Sequence, residues 1–388
     1  MKGHVRKRGS KWCFVLDIGT DPTTGKRKQK WFSGFKTKKE AEKAMIDKMH
    51  ELEQGMYVEP SKTTIKEYFE QWLEDYAKSA LRPTSFQTYY TLIHQHIIPS
   101  IGHITLQQLQ PMHLQRFYNE QLQRGRVDGK GGLSSQSVVK LHVIIKSALG
   151  HAVKWQLINR NVADLADPPA IRKRDIITLE ADEVTHFLEL AKESRYYIAF
   201  LLAISTGLRR GEILGLRWKD IQFEEKRASI QKNLVVVKGT PLLQEPKTKG
   251  SKRSISLPTT TVDALRKYKK VQAQEKLKQG ALYQDNDLIV TTRFGTPVNP
   301  RHLLRSFYNL IKKANLPSIR FHDLRHTHAT LMLQQGVHPK IVSERLGHSN
   351  TRITMDIYSH VLPSMQEEAV DQFEEMFLKN SHSKTKML

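Results

Sequence analysis

Toward the end of the sequence, residues able to do chemistry recur at short intervals. They are His322-Asp-Leu-Arg325, then Leu346-Gly-His348-Ser349, then Asp356-Ile-Tyr358-Ser-His360. An arginine fork can grip a phosphate, a histidine can donate a hydrogen bond or move a proton, and a tyrosine hydroxyl can attack phosphorus. On a helix His322 shares a face with Arg325 and with His326. The two histidines have the spacing of a metal pair. However, no Glu follows the first, H-E-x-x-H is absent and no third ligand stands at a usual distance, so no metal is expected. His326 and His328 read as packing or capping residues. Thr351, Thr354 and Asp356 surround Tyr358 with polar side chains, which suits an accessible hydroxyl better than a core ring.

A second constellation lies upstream, in Thr206-Gly-Leu-Arg209-Arg-Gly-Glu212. Gly207 permits a sharp turn, and Glu212 lies one helical turn from Arg209. Arg209 then points into a site as a phosphate clamp while Glu212 fixes its fork. The plainer reading is a surface ion pair of little worth, but the apolar sequence on both sides argues against a surface position. A third is the basic stretch Lys247-Thr-Lys249-Gly-Ser-Lys252-Arg253. A lysine there, Lys247 or Lys249, can reach a DNA groove and protonate a leaving alkoxide; alternatively the turn is simply solvated.

Composition narrows the partners. Lysine and arginine exceed aspartate and glutamate by 23 charges, which favours a polyanion through phosphate attraction and counterion release. No basic amphipathic helix or lipidation signal favours a membrane surface, so nucleic acid is the expected partner. No apolar run approaches the roughly 18 residues of a membrane span. No secretory signal opens the chain, and a single cysteine, Cys13, suits a reducing cytoplasm. At 388 residues, two or three domains are expected.

The elements that must position these residues follow in order. Residues 1–56 read as strands around Trp12-Phe14-Leu16 and Lys28–Phe35, a turn at 21–25, and a helix capped by Thr37 over 38–52. They hold fourteen basic and seven acidic side chains. Arg6, Lys7, Arg8, Arg27, Lys28 and Lys30 on such a small sheet can enter a DNA major groove; the alternative is a solvated tail and turn. Residues 62–166 read as a bundle of four or five helices, the second stopped by Pro99. Asp167 to Arg174 is a stiff boundary whose Arg172, Lys173 and Arg174 suit a phosphate track. Beyond it the pattern predicts a helix from Thr178 or Glu180 and a buried apolar helix over 196–205. Strands follow at 228–238, 241–246 and 253–257 in one small antiparallel sheet, the last two flanking the basic turn. Helices at 262–279 and 302–314, with a short strand at 288–292, complete the segment. Residues 363–380 read as an amphipathic acidic helix. The fold class is therefore multidomain and mainly α with small antiparallel sheets: an N-terminal three-stranded sheet plus helix, a helical bundle, and a mixed α+β domain.

The ordered set Arg209, Lys247, His322-x-x-Arg325, Leu-Gly-His348 and Tyr358 resembles the tyrosine recombinases, specifically phage and integrative-element integrases. The resemblance spans nearly the whole chain. It implies an arm-type DNA-binding domain at 1–56, a helical core-binding (SAM-like) domain at 62–166 and a catalytic domain at 174–380 with a C-terminal tail helix. It also implies that Tyr358 attacks a DNA phosphorus, giving a 3′-phosphotyrosine and a free 5′-hydroxyl with no metal, ATP or other cofactor. Arg209, Arg325 and His348 would stabilise the phosphorane, and His322 would accept the tyrosine proton. Lys247 would protonate the 5′-oxygen, and Glu212 would support the arginine. The implied partners are double-stranded DNA at core and arm attachment sites, a homo-tetramer on DNA, and a host DNA-bending factor and excisionase. The implied location is the cytoplasm of a bacterial cell, at the nucleoid. The tail helix would dock on a neighbouring protomer, or pack on its own. A relaxing topoisomerase of the IB type has less need of the N-terminal domain. A regulator without catalysis has no need of the full residue set, and a metal nuclease would require a carboxylate cluster.

Overall fold

The computed structural model describes residues 3–20, 25–54, 57–171, 176–245, 252–348 and 350–358, together with 370, 373 and 374. Lys247 and Lys249, the run Arg172-Lys173-Arg174, most of the turn at 21–25 and nearly all of the expected tail helix lie outside the described residues. The chain divides into two compact units, residues 1–173 and 174–388.

In the first unit β1 (Gly3–Arg8), β2 (Lys11–Thr20) and β3 (Arg27–Phe35) form an antiparallel sheet in that order. Strand alternation turns Phe14 and Leu16 to one face, where they meet Phe32, Phe35, Ala41 and Met45. The helix Lys38–Glu53 covers that face, and the Thr37 hydroxyl accepts from the Glu40 amide to start it. Arg6 alternates to the opposite face, where its guanidinium lies 3.8 Å over the Trp31 ring.

The rest of this unit is helical. Thr64 and Glu67 close a capping box at the start of the helix Ile65–Trp72. Tyr68, Phe69 and Trp72 on its apolar face are fully buried against Leu114, Phe117, Leu141 and Ile145 of the helices Pro111–Arg124 and Ser135–Lys154. The helix opening at Pro83 does not stop at Pro99. It runs on to Ile101 through a wide turn over Ile93–Ile97, in which the Ile98 amide donates to the Ile93 carbonyl. That turn puts the ladder out of step just before the proline, so the residue lacking an N–H falls at the start of a new turn, where none is needed.

In the second unit the apolar helix Tyr197–Thr206 is enclosed by neighbouring elements, as its composition requires. Phe200 of this helix joins Phe187, Phe307 and Phe321 in a cluster of edge-on and tilted rings with centroids 5.5–6.3 Å apart. The strands differ from expectation. The segment 228–238 breaks at Gln231-Lys232 into β5 (Arg227–Ile230) and β6 (Asn233–Val237). Strand β6 pairs with β7 (Thr240–Gln244) across Lys238-Gly239, whose positive φ values of 48° and 84° make a tight hairpin turn. Strand β8 (Arg253–Ser256) pairs instead with β5, and β4 (Ile221–Gln222) lies on the far side of β5. The basic stretch therefore joins strands of two different sheets. Leu288–Thr292 is not a strand: Leu288 bridges Arg217 and Thr291 bridges Pro297 as isolated pairs. The helices Ala181–Ala191, Thr259–Gln279 and Pro300–Lys313 fall close to their expected places.

Candidate active site

Gly207 ends the apolar helix in the left-handed region, at φ +65°. A Cβ there would stand 2.5 Å from Leu346 Cδ2 and 2.7 Å from His328 Cδ2, so glycine is required by both backbone and space. The sharp turn makes Arg209 the N-cap of the short helix Arg210–Leu214. Glu212, only 3% exposed, accepts the Arg209 amide on Oε2 and Arg209 Nη1 on Oε1, both at 3.0 Å. The same carboxylate takes Arg253 Nη1 at 3.2 Å and Nη2 at 3.0 Å. Burial works to raise the Glu212 pKa, yet the hydrogen bonds and charges of Arg253 and Arg209 bring it below the usual carboxylate range. Two guanidiniums on one buried carboxylate leave a net positive charge, and the Arg209 side chain keeps 38% of its surface open.

Arg325 comes from the helix Asp323–Gln334 and is 3% exposed. Its Nη1 donates to the Gly207 carbonyl and its Nη2 to the Leu346 carbonyl, each at 2.7 Å. Arg209 Nη2 reaches the Gly347 carbonyl at 3.4 Å. Both arginines thus sit at helix C-termini, where exposed carbonyls carry partial negative charge. Gly347, at φ +67°, ends the helix Pro339–Leu346 and delivers His348 beside them. His348 Nδ1 lies 2.8 Å from Thr354 Oγ1 in the helix Thr351–Tyr358. His322 precedes Arg325, and its ring stands edge-on to His326 at 5.3 Å.

The histidines are neutral near pH 7. Burial, reinforced by Arg325 and Arg209, pushes His348 down to about 4. Burial and the neighbouring His322 take His326 to about 4. His322 is exposed as a residue, but the protein packed around it and the charges of Arg325 and Arg209 lower it as well. His328, also near 4 through burial and Arg345, is structural, as expected. Its Nδ1 meets the Ile204 carbonyl at 2.7 Å and its Nε2 meets Arg345 Nε at 3.1 Å. Arg345 goes on to the carbonyls of Ser256 and Ser205, both at 2.9 Å, tying its helix to β8 and to the apolar helix.

Arg209, Glu212, His322, Arg325 and His348 are therefore brought together from three segments of sequence. Tyr358 closes the helix that carries Thr354. Arg253 and Arg345 were not singled out from sequence, and Thr354, read there only as a polar neighbour of Tyr358, is fully buried and paired with His348. Arg253 carried no signal beyond membership of a basic run; its pairing with Glu212 depends on β8 lying against β5. A cleft of about 820 Å³ opens beside the site, lined by Arg209, Arg210, Asn233, Arg301, Arg320 and His322. In the first unit Lys7 and Arg8 are exposed, Arg27 pairs with Asp17, and Lys28 and Lys30 lie 2.8 and 3.6 Å from Glu59.

Three family profiles match the chain: the phage integrase family over residues 178–365, the N-terminal SAM-like domain of phage integrases over 64–122, and an arm DNA-binding domain over 4–52. A Caldanaerobacter subterraneus subsp. tengcongensis protein named tyrosine recombinase XerC-like is 31% identical over 398 aligned positions, covering 97% of this chain and 99% of that one. The chain belongs to the phage integrase family of tyrosine recombinases. As a member it is a tyrosine-type site-specific recombinase, an integrase. Two solved integrases share its fold. The Tn1549 transposon integrase in complex with transposon right end DNA has a TM-score of 0.65 at 20% identity, covering 79% of this chain and 99% of that one. A lambda integrase tetramer bound to a Holliday junction has a TM-score of 0.56 at 19% identity, covering 89% and 96%. Among the described residues no helix of this integrase is long and apolar enough to cross a membrane.

Proposed function

We propose that this integrase cuts and rejoins double-stranded DNA at attachment sites, with Tyr358 as nucleophile and Arg209, Lys247, His322, Arg325 and His348 as its catalytic set. The Tyr358 oxygen forms a bond to phosphorus as the bond to the 5′-oxygen breaks. The phenol proton passes to His322, which is neutral and able to accept it. Lys247 gives a proton to the 5′-oxygen. Arg209 and Arg325 bind the non-bridging oxygens, and the His348 ring adds a hydrogen bond. Glu212, shared with Arg253, holds the Arg209 fork before substrate arrives. The 3′-phosphotyrosine conserves the energy of the phosphodiester, so rejoining needs neither metal nor ATP.

The observation that carries this reading is the meeting of Arg209 and Arg325 at the carbonyls of Gly207, Leu346 and Gly347, with His348 next in the chain. Removing either arginine from such a preorganised anion site is expected to cost roughly 10² to 10³ in rate.

The domains follow the same reading: an arm-binding domain at 1–56, a core-binding domain at 62–166 and a catalytic domain at 174–380. The matched profiles support that division. Arg6, Lys7, Arg8, Arg27, Lys28 and Lys30 would contact arm sites, and Arg172, Lys173 and Arg174 would follow the backbone between domains. The working form would be a homo-tetramer on DNA, as in the lambda integrase assembly, in the cytoplasm at the nucleoid. A host DNA-bending factor and an excisionase would set direction, and the tail helix would dock on a neighbouring protomer.

The test is incubation of the full chain with a nicked duplex from the junctions of its element, in EDTA. A covalent protein–DNA band from wild type and none from Tyr358→Phe is the expected outcome. A band that survives the substitution refutes Tyr358 as nucleophile, and activity lost to EDTA refutes metal-independent chemistry.

A further inference from the structure

His348 lies 2.8 Å through Nδ1 from Thr354 Oγ1, and Thr354 is fully buried. Thr354 stands four residues before Tyr358 in the helix Thr351–Tyr358. A neutral imidazole carries one ring proton, on Nδ1 or on Nε2, and the partner of one nitrogen decides which. A threonine hydroxyl has one hydrogen to give. If Thr354 donates to Nδ1, both groups are satisfied and the ring proton sits on Nε2. If it accepts instead, its own hydrogen is buried and needs another acceptor, which burial penalises. Among the described residues, His348 Nδ1 is the side-chain partner of this hydroxyl. The contrast with His328 is instructive. There a carbonyl takes the Nδ1 proton and Arg345 donates to Nε2, so that ring is held in the opposite tautomer.

We infer that Thr354 is a positioning residue for the recombination reaction: its hydroxyl donates to His348 Nδ1 and keeps the ring proton on Nε2, the nitrogen left to donate to a non-bridging phosphate oxygen. The inference rests on the reading that His348 faces the scissile phosphate. Burial, reinforced by the guanidiniums of Arg325 and Arg209, keeps the ring neutral, so tautomer and not charge decides whether it can donate there. The segment that carries the nucleophile also carries the residue that prepares His348. Seating that helix supplies both together.

The experiment uses the full chain labelled with ¹⁵N-histidine and a two-bond ¹⁵N–¹H correlation spectrum, with His348→Gln to assign the ring. Wild type is expected to show a protonated Nε2 and a bare Nδ1. Thr354→Val, similar in shape but without the hydroxyl, is expected to shift the ring toward the Nδ1–H form or a mixture. It should slow covalent complex formation on a nicked duplex by roughly 10- to 100-fold at unchanged DNA affinity. Thr354→Ser, which keeps the hydroxyl, should restore both readouts. A wild-type spectrum with the proton on Nδ1, or a Thr354→Val protein that cleaves within about twofold of wild type, overturns the inference. The spectrum is read on free protein, so it decides the tautomer even if wild type forms no adduct, an outcome that would instead refute the recombinase chemistry.

Discussion

Replacing Glu212 by Gln keeps its shape and removes its charge from between two guanidiniums. Each carboxylate oxygen accepts two donors: Oε1 takes Arg209 Nη1 and Arg253 Nη1, and Oε2 takes the Arg209 amide and Arg253 Nη2. Whichever way the new amide is turned, its NH₂ meets two donors that previously had an acceptor. Breaking a buried pair by removing one partner costs about 3–5 kcal/mol. The open flank of Arg209 lets water recover part of this, so a loss near 3 kcal/mol is expected. Because the chain has two compact units, a single unfolding midpoint would mix them. The loss is better read by hydrogen exchange in peptides from 176–245 and 252–348 at increasing urea. The sign with pH follows from linkage. The folded pKa of Glu212 lies below its ordinary 4.5. Its stabilisation is therefore complete above the unfolded value and disappears as pH falls through the folded one. The gap between wild type and Glu212→Gln should hold from pH 5 to 8 and narrow below about 4.5. Covalent complex formation should fall about 10²-fold as Arg209 loses its holder. A variant within about 0.5 kcal/mol of wild type in stability and within about threefold in rate would refute the reasoning.

Arg325→Lys keeps the charge, but an ammonium cannot span the Gly207 and Leu346 carbonyls and still present a fork. Cleavage should drop about 10²- to 10³-fold while gel-shift affinity for core DNA changes little. Gly207→Ala places a Cβ against Leu346 and His328 at φ +65°. It should cost roughly 1–3 kcal/mol, visible as weaker hydrogen-exchange protection in peptides from 176–245 together with reduced cleavage. His322, His326, His328 and His348 all have depressed pKa values when folded. The unfolded chain therefore binds more protons between pH 6.5 and about 4, and stability should fall as pH drops through that window. An opening free energy of peptides from 252–348, read by hydrogen exchange, that stays flat there would contradict the neutral-histidine arrangement.

Much of this protein is determined within short stretches of sequence. The Thr37 and Thr64 caps, the apolar stripe through Tyr68, Phe69 and Trp72, the turn at Gly207 and the halt at Gly347 depend on neighbours a few residues away. The order and spacing of Arg209, His322, Arg325, His348 and Tyr358 are likewise sequence properties, and they sufficed to point to recombinase chemistry. Tertiary structure decided what those residues touch. Pro99 fails to stop its helix because a wide turn precedes it. The strands divide into two sheets because Lys238-Gly239 closes a hairpin and leaves β8 to pair with β5. That pairing puts Arg253 on Glu212, forty-one residues away in sequence. The docking of three helix ends gives Arg325 its carbonyls and His348 its threonine. Local propensity is written in side chains close together along the chain. A buried charge is satisfied by whatever backbone and side chains the packed fold brings to it.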